Sequence, residues 1–172
     1  MQQHLDGLVA VYRDNVQPRM RELPVYNAML QVEARGFAPR DGHCSGILIT
    51  PWCMNLVLLP GEGDRWSELA PGSRVEVVFP AATYALTLSL PAGMQPHLSL
   101  ALFSTVLDFA DQDTAQQVAD EVLQLLYQAE AEGEYADPVS AELDRAGSRR
   151  PLSRRDLLRG RWLPAGDRER EI

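Results

Sequence analysis

Five short apolar runs follow one another between residues 46 and 104, and no segment with helical periodicity separates them. They cover residues 46–50, 54–60, 74–79, 83–90 and 97–104. In the third run Val75, Val77 and Phe79 share one face, and the fourth run repeats this alternation with Tyr84, Leu86, Leu88 and Leu90. Strands joined without a helical crossover pair antiparallel. With an earlier alternating segment at Leu30, Val32 and Ala34, which Gly36 is expected to stop, the sequence predicts one antiparallel sheet of about five to six strands.

Two segments outside these runs have helical spacing. The first apolar stripe predicts a helix over about residues 3–22, which Pro18 is expected to kink or end. The residues of this stripe are Leu5, Leu8, Val9, Tyr12 and Val16. The second stripe predicts a helix over about residues 112–131, with Asp111 and Asp113 at its N-terminus, the positive end of the helix dipole. The residues of this stripe are Ala115, Val118, Ala119, Val122, Leu126 and Ala129. The predicted fold class is therefore α+β, with a sheet packed by an N-terminal and a C-terminal helix.

Charge divides the chain into an acidic body and a basic tail. Residues 1–144 hold seven Arg and twenty Asp or Glu, whereas residues 145–172 hold nine Arg and four acids, and there is no Lys. Phosphates would be repelled by the body, which argues against nucleic acid as its partner and favours a basic segment. We predict a body over residues 1–132, a linker rich in charge, Gly and Pro over 133–150, and a basic tail over 151–172.

No apolar run approaches the roughly 18 to 20 residues that span a bilayer, and the N-terminus lacks the basic region of a secretory signal. We therefore expect a soluble cytoplasmic protein without membrane insertion.

Motifs for catalysis, cofactors and metals are absent from the sequence. There is no Gly-rich nucleotide or phosphate loop, zinc-protease motif, nucleophile elbow or CxxC pair. His4, His43 and His97 are scattered, and Cys44 and Cys53 have a spacing that is only a weak metal signal. We expect buried thiols, no cofactor and no metal.

The segment TPWCMNLVLLPG (residues 50–61) places Trp52 between Pro51 and Cys53, close to Met54. A large aromatic and a flexible thioether beside a strand connection belong either to the core or to an interface. From the residues alone, both interpretations stay open.

This segment continues as TPWCMNLVLLPGEGDRW, with RMRELPVYNAML before it and LALFSTVLDFAD after it. Together they resemble the HybE/HupJ family of nickel–iron hydrogenase assembly chaperones, over about residues 5–130 and again in the tail; Cys53 departs from the bulky apolar residue expected there. The resemblance implies a cytoplasmic maturation protein without enzymatic activity. Its implied partners are the precursor of the small, iron–sulfur subunit with its twin-arginine signal, and a rubredoxin-like protein. Whether the body also contacts the large subunit stays open.

A partner site for a signal of arginines and leucines needs carboxylates beside an apolar groove. The candidate carboxylates are Glu62, Asp64 and Glu68, which come just after the central segment TPWCMNLVLLPG (residues 50–61). The candidate apolar contacts are Trp52 and Met54 within that segment, with the adjoining Pro51 and Asn55.

The tail contains LSRRDLLRG, whose Arg154, Arg155, Leu157 and Leu158 have the chemistry of a twin-arginine signal head. The charged sequence that follows cannot serve as the apolar part of an export signal. Two compatible interpretations remain: a short amphipathic helix capped by Ser153 that docks through its leucines and Trp162, or a mimic of the client signal.

Two rival functions stay open at this stage. One is a redox or iron–sulfur protective protein that acts with a rubredoxin through Cys44 and Cys53. The other is a structural subunit of a maturation complex. Which hydrogenase is served, and the oligomeric state, do not follow from the sequence.

Overall fold

The computed structural model describes residues 2–40, 42–91 and 93–127. The strands are β1 (Glu33–Arg40), β2 (His43–Ile49), β3 (Met54–Leu59), β4 (Arg74–Val78), β5 (Thr83–Ser89) and β6 (His97–Phe103), and a short 3₁₀ turn spans Trp66–Glu68. They form a six-stranded sheet in the order β1-β2-β3-β6-β5-β4. The pairs β1–β2, β2–β3, β3–β6 and β5–β6 are antiparallel, and the α+β prediction with one antiparallel sheet is confirmed.

The N-terminal helix is built from three pieces: α1 (Gln2–Val11), a π-helical turn (Tyr12–Val16) and α2 (Gln17–Met20). Pro18, expected to kink or end the helix, lies inside α2 and does not end it. The π-helical turn closes directly before it with a bond from the Gln17 amide to the Tyr12 carbonyl. A proline inside a helix removes one backbone donor, and π-helical segments usually occur as single turns within α-helices, as here.

The central strands are buried on both faces. Nearly every residue of β2 and β3 is buried, which requires cover on each side. One face packs with the N-terminal helix in a cluster of Leu8, Val32, Cys44, Leu48, Trp52, Val57 and Leu59. The predicted stripe of Leu5, Val9, Tyr12 and Val16 packs against this cluster, so the first helix contributes its apolar face as expected.

The second helix, α3 (Gln112–Tyr127), contacts β1 through Asp120 at Arg35 and through Leu123 at Gly36. Successive strand residues point to opposite faces, so Glu33 and Arg35 face away from Val32. Arg35 makes a bidentate pair with Asp120, with Nε–Oδ1 at 2.8 Å and Nη2–Oδ2 at 2.7 Å. The Glu33 carboxylate accepts bonds from the side-chain amides of Gln112 and Gln116. These polar contacts fix the orientation of the helix on the strand.

The first strand differs from its prediction, which placed it around residues 30–34 and stopped it at Gly36. The strand begins at Glu33 and continues through Gly36 to Arg40. Its pairing with β2 shifts between Arg35 and Ala38, and Gly36 has a φ of 62°. A bulge of this kind uses a residue in the left-handed region, which glycine adopts without strain. Gly36 therefore bends the strand instead of ending it.

Leu90 also differs from its prediction. It was expected to share the buried face of Tyr84, Leu86 and Leu88, but 47% of it is exposed. It follows the last residue of β5, Ser89, so the alternation that buries the other three ends before it.

The chain divides into two compact units. The larger contains Met1–Val77 and Ala85–Gln124. Within the smaller unit, the Phe79 ring meets Tyr84 and Tyr127 edge-on, with centroids 5.8 Å apart in each case. The last part of the predicted second helix, the linker at 133–150 and the tail at 151–172 lie outside the described residues.

None of the helices within residues 2–127 has the length and hydropathy needed to cross a membrane.

Candidate functional site

A groove with a volume of about 920 Å³ lies at one end of the sheet in the larger unit. At this end β1 and β3 finish while β2 and β6 begin, as the pairs Arg40–His43, Cys44–Leu59 and Leu58–Leu98 show. Its lining comes from four places in the chain: His4 of α1, the turn into β2, the loop after β3, and Gln95 with Pro96 before β6.

Asp64 organises the loop that forms one wall of the groove. Its Oδ2 accepts a bond from the Gly61 amide at 2.7 Å and lies 3.1 Å from Nε2 of His43. The His43 ring stacks on the indole of Trp66, with centroids 5.3 Å apart and planes 6° from parallel. The carboxylate, the imidazole and the indole therefore hold the loop against the start of β2.

Glu62 provides the second carboxylate of the groove and is exposed. Within the described residues it has neither an ion pair nor a hydrogen bond. The apolar walls beside it are formed by Leu59, Pro60, Trp66 and Pro96. The groove thus offers one uncommitted carboxylate, one carboxylate held in place, and apolar surface for a neighbouring side chain.

A smaller pocket of about 160 Å³ adjoins this groove. His4, Leu59, Pro60 and Gln95 line both, and the pocket adds Gly7, Leu8, Gly93 and Met94. The shared residues place the two spaces side by side.

The predicted partner contacts in and beside the turn between β2 and β3 do not line the groove. Pro51 is buried, Trp52 is 8% exposed and Met54 is fully buried, while Asn55 is partly exposed on β3. Trp52 stacks on Tyr12 with centroids 6.5 Å apart. Thr50 holds the turn, since its hydroxyl donates to the Cys53 carbonyl at 2.7 Å and accepts from the Cys53 amide at 3.0 Å.

The structure does not bring this turn together with the predicted carboxylates. The turn follows the pair Ile49–Met54, whereas the groove begins at Cys44–Leu59. Five residues at about 3.3 Å each separate the two ends by roughly 17 Å. Of the predicted carboxylates, Glu62 and Asp64 line the groove, but Glu68 does not. Glu68 is exposed and makes a bidentate pair with Arg65, with Nε–Oε1 at 2.6 Å.

Several groove residues were not predicted: His4, His43, Trp66, Gln95 and Pro96. His43 and Trp66 lie near the central segment, so proximity in sequence could have identified them. His4 and Gln95 are distant from it, and only the return of α1 and β6 to this end of the sheet places them in the groove.

The two cysteines lie at opposite ends of the β2–β3 hairpin and are both free thiols. Burial raises the pKa of the Cys44 thiol and of the Cys53 thiol above the usual value. A disulfide needs Cα atoms within about 7 Å, far less than the roughly 17 Å of strand between them. Within the described part of the chain, no three His, Cys, Asp or Glu side chains are grouped as metal ligands.

A family model described as NiFe-hydrogenase assembly, chaperone, HybE matches residues 3–160 of this chain. The matched range includes the tail residues Arg154, Arg155, Leu157 and Leu158, which lie outside the described structure.

Related proteins and a solved structure are also similar to the chain. The hydrogenase expression/formation protein HupJ of Bradyrhizobium diazoefficiens is 35% identical over 155 residues, which is 90% of this chain and 86% of that protein. The probable rubredoxin HupJ of Rhodobacter capsulatus is 34% identical over 130 residues, or 76% of this chain, which spans only 47% of that protein's length. The solution structure of HybE from Escherichia coli has a TM-score of 0.59 at 19% identity, covering 86% of this chain and 87% of that one, and shows the same fold.

Proposed function

The chain belongs to the HybE family of nickel–iron hydrogenase assembly chaperones, and from this we propose that it binds the precursor of a hydrogenase small subunit through the twin-arginine signal peptide. It acts by binding and not by chemistry. It holds the immature iron–sulfur subunit and shields its signal until the clusters are in place. A precursor carries its signal only before export, so we place this step in the cytoplasm.

The observation that carries the proposal is the combination of charge and apolar surface in the groove. A guanidinium pairs best with a carboxylate, which it can contact through two parallel bonds. Glu62 is exposed and without a partner in the described structure, so it can pair with an incoming arginine without losing another contact. Asp64 contributes a second negative charge at a position held by Gly61 and His43.

The acidic body supports the same client. Seven Arg oppose twenty acids over residues 1–144, and such an excess attracts a basic peptide and speeds its encounter. We propose that the buried Trp52 and Met54 support the client site through the core, since their side chains present little surface themselves.

A rubredoxin-like protein is a second proposed partner. The Rhodobacter capsulatus relative is named as a probable rubredoxin and extends well beyond the length that this chain matches. A relative of that name supports a rubredoxin-like partner for this chain. We propose contact with the large subunit as a third interaction, to be tested in the same way.

The test compares retention of the small-subunit precursor and of the mature, signal-free subunit by the full chain in a pull-down. We expect the precursor alone to be retained. Glu62→Gln is expected to weaken precursor binding about tenfold, because it removes the uncommitted carboxylate.

Glu76→Gln is the matched control, since Glu76 is an exposed carboxylate on β4 away from the groove. It removes the same charge and is expected to leave binding within about twofold. Glu68→Gln removes the third predicted carboxylate, and we expect a loss smaller than that of Glu62→Gln because Arg65 already engages it. Equal retention of precursor and mature subunit would show that the signal is not recognised.

A further inference from the structure

The small pocket beside the groove opens beneath Gly7 in the middle of α1. A glycine inside a helix is less favourable than alanine by roughly 0.5–1 kcal/mol. No described atom would lie within 4 Å of a Cβ added to Gly7, so a close approach of another chain segment does not explain this residue. The pocket is therefore lined at Gly7 by bare helix backbone with open space above it.

The pocket walls are apolar over most of their area. Leu8, Leu59, Pro60 and Met94 form them, with His4 and Gln95 at the boundary shared with the groove. Its volume of about 160 Å³ is similar to that of an engineered apolar cavity of about 150 Å³ that accepts benzene. The pocket therefore suits one large aliphatic or aromatic side chain, and methionine at 94 can adjust its shape to the occupant.

We propose that this pocket binds the leucine side chain that follows the paired arginines of the client peptide, so that groove and pocket together recognise one short motif. This inference rests on the proposed function. The carboxylates of Glu62 and Asp64 select the cationic part of the peptide, and the lining residues that groove and pocket share place the apolar pocket beside the groove. Charge alone would accept any basic segment, whereas a basic segment with an adjacent leucine satisfies both spaces.

The experiment measures binding of three synthetic peptides to the full chain by titration calorimetry. The first carries two adjacent arginines, one spacer residue and two leucines. In the second peptide both leucines are alanine, and in the third both arginines are glutamine. We expect the second to bind the unaltered chain about tenfold more weakly than the first, because burial of a leucine is lost.

The chain variant Gly7→Leu adds a large apolar side chain at a residue that lines the pocket, and we expect it to block the pocket. This variant is expected to bind the first peptide, with its leucines, about tenfold more weakly than the unaltered chain does. Its affinity for the second peptide, with alanines, is expected to change by less than about twofold, so that the variant binds the two peptides alike. Ala10→Leu is the matched control, because Ala10 is an exposed residue of the same helix that lines neither space. It adds the same side chain and is expected to leave both affinities unchanged.

Met94→Gln provides a second route if Gly7→Leu does not fold, which circular dichroism and thermal unfolding would show. This variant keeps the length of the side chain but makes one wall of the pocket polar. It is expected to weaken binding of the first peptide, with its leucines, more than binding of the second peptide, with alanines. If folded Gly7→Leu and Met94→Gln both retain full preference for the leucine peptide, the assignment of the pocket is wrong while the groove stands. If the first peptide, with two arginines, and the third peptide, with two glutamines, bind the unaltered chain equally, the proposed recognition of the signal is wrong and the pocket assignment fails with it.

Discussion

His97 is fully buried at the start of β6, where its ring meets Tyr12 edge-on at a centroid distance of 6.5 Å. Burial lowers the pKa of this imidazole below its usual value of 6.5, because the charged form is poorly solvated there. The unfolded chain takes up the proton at a higher pH than the folded chain. The stability linked to His97 is therefore fully present above about pH 6.5 and is lost as the pH falls below it.

We predict that His97→Phe flattens the pH dependence of stability below about pH 6.5. In this window each pH unit can cost the unaltered chain up to about 1.4 kcal/mol through His97, and phenylalanine keeps a ring of similar size without the titration. Urea unfolding at pH 7.5, 6 and 5 measures the slopes. Parallel slopes for the two chains would contradict a depressed His97 pKa.

The thiols supply a second prediction at this scale. Cys44 and Cys53 cannot form a disulfide with each other in this fold, and raised pKa values keep both in the unreactive thiol form. We expect the double variant Cys44→Ser and Cys53→Ser to support hydrogenase maturation, with a loss of about 1 kcal/mol in unfolding free energy per buried site. Hydrogenase activity of complemented cells is the measurement, and loss of maturation with a normally folded variant would favour the redox function.

At the scale of elements, the bulge in β1 shows how a local irregularity determines helix packing. Gly36 has a positive φ, and a Cβ placed on it would collide with Cδ1 of Leu123 in α3. The missing side chain thus serves both the bulge and the approach of the helix. The Arg35–Asp120 pair, one residue earlier in β1, fixes the same contact from its polar side and lowers the pKa of Asp120.

We predict that Gly36→Ala lowers the unfolding free energy by about 2 kcal/mol, since it combines backbone strain with displacement of a buried leucine. Gly7→Ala is a useful comparison, because it adds the same methyl to open space in a helix and is expected to stabilise by about 0.5–1 kcal/mol. Denaturant unfolding of both variants checks the pair. A cost for Gly36→Ala below about 0.5 kcal/mol would mean that the strand adapts to the side chain.

At the scale of the whole molecule, charge is divided between an acidic body and a basic tail. Residues 145–172 carry nine Arg and four acids, and Arg154 and Arg155 with Leu157 and Leu158 have the chemistry that the groove is proposed to bind. The family match extends through these residues. A segment tethered by a linker of about 15 to 20 residues reaches an effective concentration near the millimolar scale, enough to occupy a weak site.

We predict that the tail competes with the client. Deleting residues 151–172, or changing Arg154 and Arg155 to Gln, should tighten binding of a synthetic signal peptide, and the difference should shrink at high salt. A client can displace the tail because a longer apolar segment buries more area. Titration calorimetry of full-length and truncated chains decides the matter: equal affinities leave the tail as a docking helix or another contact, and weaker binding after truncation means that it helps to hold the client.

The sequence by itself determined the class of the fold, because its signals are local. The alternation over residues 74–79 and 83–90 and the helical stripe from Ala115 to Leu126 arise from the periods of the backbone, and the charge count follows from composition alone. It also indicated Glu62 and Asp64, which lie close to the central segment that resembles the family.

Only the tertiary structure decided which residues form the candidate site. Trp52 and Met54 are neighbours of these carboxylates in sequence but lie at the other end of a hairpin, while His4 and Gln95 reach the groove from distant parts of the chain. Likewise, the sequence alone predicts that Gly36 ends the strand. The pairing with β2 and the contact with α3 show that it lies in a bulge within the strand. Strand register and helix docking depend on the burial of side chains from several segments at once, and no local pattern in the sequence contains that information.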